Sequence, residues 1–213
     1  MAAGRQLAIQ PTADSETAGG GKLAALGSKV SEAILSIVAS VPVSTEPFSQ
    51  TPETQAHALG ERASRMAAGI SAGAAMAPGP LGLLTLLPDL VAVWRVQSQL
   101  IADIGSAYGK EATLSKEQML YCLFKHTASH VTRDLVLRAG ERFLVQRATG
   151  TALQTMARKI GIQVAQKTIA KSFARWAPVV GAIGVGGYAY FDTKKVAANA
   201  IELFGGVVVQ DLR

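Results

Sequence analysis

Residues 66–87 run for 22 positions without a charge, and Pro78, Gly79 and Pro80 stand in the middle of the run. A membrane-spanning helix needs ~20 consecutive apolar residues. A proline inside it removes a backbone hydrogen bond and clashes with the preceding turn. The run is apolar enough for lipid, yet broken where a span requires continuity. It predicts a hairpin with Pro78, Gly79, Pro80 and Leu81 at its bend, either buried in a core or meeting a membrane only in part. A second uncharged stretch, residues 176–191, carries Pro178, Gly181, Gly184, Gly186 and Gly187. It predicts a second close-packed apolar hairpin, followed by a last helix over 192–204.

The rest of the chain reads as helix. Leu23, Leu26, Val30, Ile34, Ile37 and Val41 share one face at helical spacing. The amphipathic helix they predict is followed by Pro42, Pro47 and Pro52 in a Ser/Thr-rich linker, so it should form a loosely tethered arm able to dock on the body, a partner or a bilayer. Thr51, Pro52 and Glu53 supply an N-cap, a first-turn proline and an acid at the positive end of a helix dipole. That helix ends in Gly69, Gly73 and Ala77, a small-residue stripe expected to pack against a neighbouring helix. Pro88 and Asp89 open another, whose apolar face contains Leu90, Val93, Trp94, Ile101 and Ile104 and whose stop is Gly109. Gln97 falls within that face, where it should satisfy a core polar group. Ser115 and Gln118 form a capping box for a helix expected through His130. Residues 133–147 read as a further helix, with Asp134 and Arg138 at i,i+4.

Charge is unevenly placed. Net charge is +6, but residues 125–175 hold ten cations against Asp134 and Glu141, a local +8, and the remainder is slightly acidic. Charged residues make up 17% and hydrophobic ones 49%, against ~25% charged in ordinary soluble domains. A basic segment in an apolar chain suits an anionic partner, and lipid headgroups fit best. Only Phe143 and Phe173 are aromatic within it, too few for base stacking, which argues against nucleic acid. The plain alternative is a solvated outer face.

Within residues 152–176 the apolar face switches sides near Gly161, so the helix either bends there or is surrounded. Lys167, Lys171 and Arg175 then form a stripe at i,i+4,i+8, ending beside Trp176, the layout of a helix lying in a membrane interface. With Lys159, Arg138 and Arg142 they make up the candidate anion-binding surface. Cys122, His126 and His130 recur at four-residue steps, and His-x3-His is a zinc spacing. A site would need a further ligand, and ordinary core or helix-end histidines account for the pattern better. The glycines near 181–187 lack the Gly-Lys-Ser/Thr ending of a phosphate loop. No nucleophile elbow or triad is evident, so no enzyme and no cofactor are expected. A lone Cys122 excludes an intramolecular disulfide. The first 21 residues are polar, Gly-rich and unlike a secretory signal; they are expected to be a disordered tail on a cytoplasmic protein.

Pro78-Gly79-Pro80-Leu81 leading to Leu87-Pro88-Asp89-Leu90, then Gln99-Leu100-Ile101 and Tyr108-Gly109, and finally Pro178-Val179-Val180-Gly181 with Tyr190-Phe191-Asp192-Thr193, resemble the EcsC family. The resemblance covers residues 54–205. It implies a compact all-helical bacterial domain, named from an association with an ABC-type exporter, with no established catalytic residues.

The expectation is an all-α single-domain bundle with two Gly/Pro-broken apolar hairpins and an N-terminal arm. Residues 1–21 form the tail, 22–50 the helix and Pro-rich linker, 51–205 the EcsC-like domain and 206–213 a C-terminal tail. Its expected role is peripheral association with anionic membranes in scaffolding, remodelling or transport support. The alternatives are a soluble protein–protein interaction module, possibly a homo-oligomer, or a metal-binding protein.

Overall fold

The computed structural model describes residues 13–75, 86–110, 114–132, 136–139, 142–145, 148–172 and 178–206. These contain α1 (Ala13–Ala39), α2 (Pro52–Ala75), α3 (Leu86–Ala107), α4 (Lys116–Phe124), α5 (Ser129–Thr132), β1 (Val136–Ala139), β2 (Arg142–Val145), α6 (Gly150–Ser172) and α7 (Pro178–Gly206). The fold is helical, as expected, with one short hairpin. Pro78, Gly79, Pro80 and Leu81 lie outside the described residues.

Local signals placed several boundaries. α2 starts at Pro52 with Glu53 in its first turn. The Gln118 N–H donates to Ser115 Oγ at 3.2 Å and the Ser115 N–H donates to Gln118 Oε1 at 2.8 Å, which completes the capping box of α4. After α3, Gly109 adopts φ +67°, and the Lys110 N–H donates to the Gly105 carbonyl at 2.7 Å. A left-handed residue here costs glycine nothing and closes the helix.

The core is continuous through α1, α3, α4, α6 and α7. Val30, Ile34, Ile101, Ile104, Met119, Leu120, Ile160 and Leu203 are all essentially inaccessible. Trp94 meets Phe124 edge to face, with ring centroids 5.4 Å apart. α1 is therefore not a loose arm. It buries Val30, Ile34, Ile37 and Val38, together worth roughly 6–12 kcal/mol at 1.5–3 per side chain. It also starts at Ala13, earlier than the expected tail allows. The linker after it is strapped to α3: Ser44 Oγ donates to Asp103 Oδ1 at 2.8 Å, Gln99 Nε2 to the Val43 carbonyl at 3.2 Å, and the Ser49 N–H to the Ala107 carbonyl at 3.1 Å.

Three expected elements differ. Residues 136–145 are an antiparallel hairpin, with Val136 opposite Val145 and Ala139 opposite Arg142, not a helix. Val136, Phe143 and Val145 favour strand and Gly140 is a helix-disfavouring residue in the sequence between them, which outweighs one i,i+4 ion pair. α4 stops at Phe124 rather than reaching His130. Its chain tightens into a turn in which the Thr127 N–H donates to the Phe124 carbonyl, and Lys167 Nζ takes the Thr127 carbonyl at 2.9 Å. Residues 178–206 form one 29-residue helix, so no hairpin precedes Asp192. Pro178 is compatible with a first helical position. The glycine at 186 is required by its neighbour, since a Cβ there would lie 3.0 Å from the Ala68 carbonyl oxygen and 3.2 Å from Ala72 Cβ.

Small residues do bring helices together, but not at the expected stripe. Gly69 and Gly73 are exposed and face open space. The close face of α2 uses Gly60, where a Cβ would come within 2.8 Å of Ala197 Cβ on α7. Gly161 in α6 meets α1: an added Cβ would lie 2.3 Å from Ser31 Oγ and 2.8 Å from the Gly27 carbonyl oxygen. The face switch at Gly161 marks this crossing, and α6 continues through it. Gly161→Ala should cost on the order of 1–3 kcal/mol, as overpacking does. Gly73→Ala should stabilise by about 0.5–1 kcal/mol, as in an unobstructed helix. Urea denaturation of the two variants reads both signs.

Candidate functional site

The C-terminal end of α2, the N-terminal end of α3 and the N-terminal half of α7 lie at one end of the molecule. Gly186 sits against Ala68 and Ala72, while Ala67, Val93 and Ala189 form a small buried cluster with Ile70 packed on it. Ser71 Oγ on α2 donates to Asp89 Oδ1 on α3 at 3.1 Å. Both uncharged stretches of the sequence lead into this end.

Its outer surface is apolar. Ile183 is 73% exposed, Phe191 66%, Met66 51% and Tyr188 49%. α2 carries no charge after Arg65, α7 none before Asp192, and the one charge in the first two turns of α3, Asp89, is buried. At 1.5 Å per residue the uncharged zone extends ~15 Å along α2 and ~20 Å along α7. The next band is basic. Arg62, Arg65, Arg95, Lys194 and Lys195 are all exposed. Glu61 lies among them but is engaged, accepting from Tyr190 Oη at 2.9 Å, Arg65 Nε at 3.0 Å and Lys194 Nζ at 3.1 Å. The Lys194 bond, then that of Tyr190, holds its carboxyl below the usual range.

Behind this surface α7 is pinned by buried polar groups. Gln97 Nε2 donates to Asp192 Oδ2 at 2.9 Å and to Thr193 Oγ1 at 3.1 Å, the core role expected for Gln97. His126 Nε2 lies 2.8 Å from Asp192 Oδ1. Asn199 Nδ2 approaches His126 Nδ1 at 3.4 Å and donates to the Cys122 carbonyl at 3.0 Å. An amide nitrogen only donates, so His126 Nδ1 accepts and Nε2 carries the proton given to Asp192. Burial pushes the Asp192 carboxyl up, but the hydrogen bonds from His126 and the Gln97 amide outweigh it and hold the carboxyl below its ordinary range. Burial, then Asp192 itself, pushes the Tyr188 phenol up to about 12.

This arrangement separates the residues considered for metal. Cys122 is fully buried, and burial raises its thiol far above the ordinary value. His126 has both ring nitrogens engaged, and His130 pairs with Gln163 at 2.6 Å. The helix that would align the three ends at Phe124. Among the described residues no three His, Cys, Asp or Glu side chains are gathered to hold a metal ion.

The candidate cations are not gathered on one helix. Lys159 and Lys167 are exposed on α6, Lys171 lies in its last turn, and Arg175 and Trp176 lie outside the described residues. Arg138 and Arg142 belong to the hairpin, opposite Phe143 and Ala139 respectively. Sequence reasoning missed Ile183, Tyr188 and Phe191 as surface residues, together with the Arg62, Arg65, Arg95, Lys194 and Lys195 band. The available signal was the four-residue step from Ile183 through Gly187 to Phe191, which marks one helix face once the glycines are accepted as helical. No described helix is long and apolar enough to cross a membrane.

The chain matches the model of the EcsC protein family over residues 36–205, most of its length. The match begins upstream of the resemblance read at residue 54, and takes in the end of α1 and the strap on α3. No curated protein and no solved structure matches it.

A folded-state carboxyl with a lowered pKa adds stability above its unfolded pKa, and that stability is lost as pH falls through the folded one. Urea stability should therefore decline below pH ~4, and Asp192→Asn should flatten that decline while costing ~1–3 kcal/mol at pH 7.

Proposed function

We propose that this chain, which belongs to the EcsC protein family, is a non-enzymatic protein that attaches peripherally to the anionic cytoplasmic leaflet of a membrane through the α2–α3–α7 end. One observation carries the proposal: three helix ends meet in a zone with no exposed charge among the described residues, Ile183 and Phe191 project from it, and a basic band lies behind it. Apolar side chains enter the acyl boundary while lysine and arginine remain among the headgroups.

The magnitudes suit reversible attachment. Four or five cations near an anionic surface contribute about 4–5 kcal/mol before screening. Burying Ile183 and Phe191 adds roughly 3–6 kcal/mol. The sum lies in the range of micromolar to nanomolar association, far short of a spanning helix. Five residues of sequence separate Ser172, the end of α6, from Pro178, the start of α7. Lys167 and Lys171 of α6 add cations to the attachment, and scaffolding, remodelling or transport support are the roles such a contact serves.

A soluble interaction module is the competing reading. Its specific support is the strap, where Val43 is 81% and Phe48 62% exposed, at the opposite end of α3. Co-sedimentation with neutral and anionic liposomes at low and high salt separates the two. Wild-type protein should bind anionic liposomes only. Ile183→Asp with Phe191→Asp should weaken binding at least tenfold at unchanged helical content, and Phe48→Asp should leave it intact. Wild-type protein that stays in the supernatant with both lipids removes the membrane proposal.

A further inference from the structure

A cleft of about 320 Å³ lies between α5 and α6, on the flank of the molecule. Its polar wall is Lys159, Thr151 and Thr155 from α6 and His130 from α5, and its apolar wall includes Val131 and Met156. No carboxylate is among the described residues that line it. Lys159 has no hydrogen-bond or ion-pair partner among the described residues, whereas Lys167, two turns further along α6, is engaged on the Thr127 carbonyl.

The hydrogen-bonding roles in the cleft follow from its neighbours. Gln163 Nε2 lies 2.6 Å from His130 Nε2. The amide nitrogen donates, so the imidazole accepts there and carries its own proton on Nδ1. Gln163 thereby ties the ring to α6. Thr155 Oγ1 spends its proton on the Thr151 carbonyl at 2.9 Å, while the Thr151 hydroxyl, 3.2 Å from that of Thr149, can turn its proton outward. An ammonium, an imidazole N–H and a hydroxyl thus approach from two helices.

We propose that this cleft binds the phosphate group of a small phosphate ester. A tetrahedral anion accepts from donors arriving in different directions, which suits an ammonium and an imidazole on separate helices better than one planar carboxylate does. The volume lies at the lower limit of ligand pockets, ~300–1,000 Å³, enough for a phosphate and a few carbons against Val131 and Met156 and too little for a nucleotide. The cleft is independent of the apolar end: Lys159 lies thirteen residues from Ser172, ~20 Å along α6. The ester can be a free metabolite or the exposed headgroup of a phosphatidate-type lipid, which share this chemistry.

Calorimetric titration of the full chain with glycerol 3-phosphate and with inorganic phosphate, against chloride at matched ionic strength, tests the free form. Saturable binding is expected, weakened at least tenfold by Lys159→Met, several-fold by His130→Ala, and not by Arg158→Met, which removes a neighbouring exposed cation outside the cleft. If the ligand is the lipid headgroup, the soluble esters give no saturable signal. Lys159→Met then lowers binding to phosphatidate vesicles while leaving phosphatidylglycerol vesicles unaffected. No saturable response in either arm, or equal losses in Lys159→Met and Arg158→Met, overturns the proposal.

Discussion

Two helix crossings without room for a Cβ hold the fold together. Where α1 meets α6, Gly161 lies against Ser31 and the Gly27 backbone. Where α2 meets α7, Gly60 lies against Ala197 and Gly186 against the Ala68 carbonyl. Close backbones let helices with few aromatic residues bury apolar surface. Leucines and isoleucines then fill the interior from α1, α3, α4 and α6. The abundance of alanine and glycine is thus a packing device, and the helices it joins need not be membrane spans.

That device also explains the exposed apolar end. The face of α7 that carries Gly186 must lie on α2, and Ile183, Gly187 and Phe191, roughly 60°, 100° and 140° around the helix from it, turn away from that contact. Deeper in, the helix is fixed by polar groups: Gln97 holds Asp192 and Thr193, His126 holds Asp192, Asn199 holds the Cys122 carbonyl, and Lys125 pairs with Glu202 at 2.5 Å. Pairing matters because a carboxylate this far from water is costly without charged or donating neighbours. The Gln97 Oε1 atom, buried without a hydrogen bond in the described structure, is the one uncompensated group there.

Much of this was legible before any coordinates. Caps and stops read well, since they depend on few adjacent residues: Pro52, the Ser115–Gln118 box and Gly109 all fell where expected. Family membership also read correctly, although the strap and the end of α1 were not part of the resemblance. The failures share a cause. Whether Gly181–Gly187 breaks a helix depends on the neighbouring helix, which no local window contains, and the same is true of which small-residue stripe is buried. For residues 136–145 two local signals competed, and strand propensity with Gly140 prevailed over a charge pair. The described candidate cations lie on two elements, α6 and the hairpin, and the sequence placed them on two elements as well.

α7 is the longest of the described helices. Its 29 residues make a rod of ~43 Å, with Asp192 near the midpoint, one tip in the apolar end and the other carrying Glu202 against Lys125. Because one unbroken helix carries Ile183 near one end, Asp192 at the middle and Glu202 near the other, the backbone that the core bonds hold also sets where the exposed apolar side chains stand.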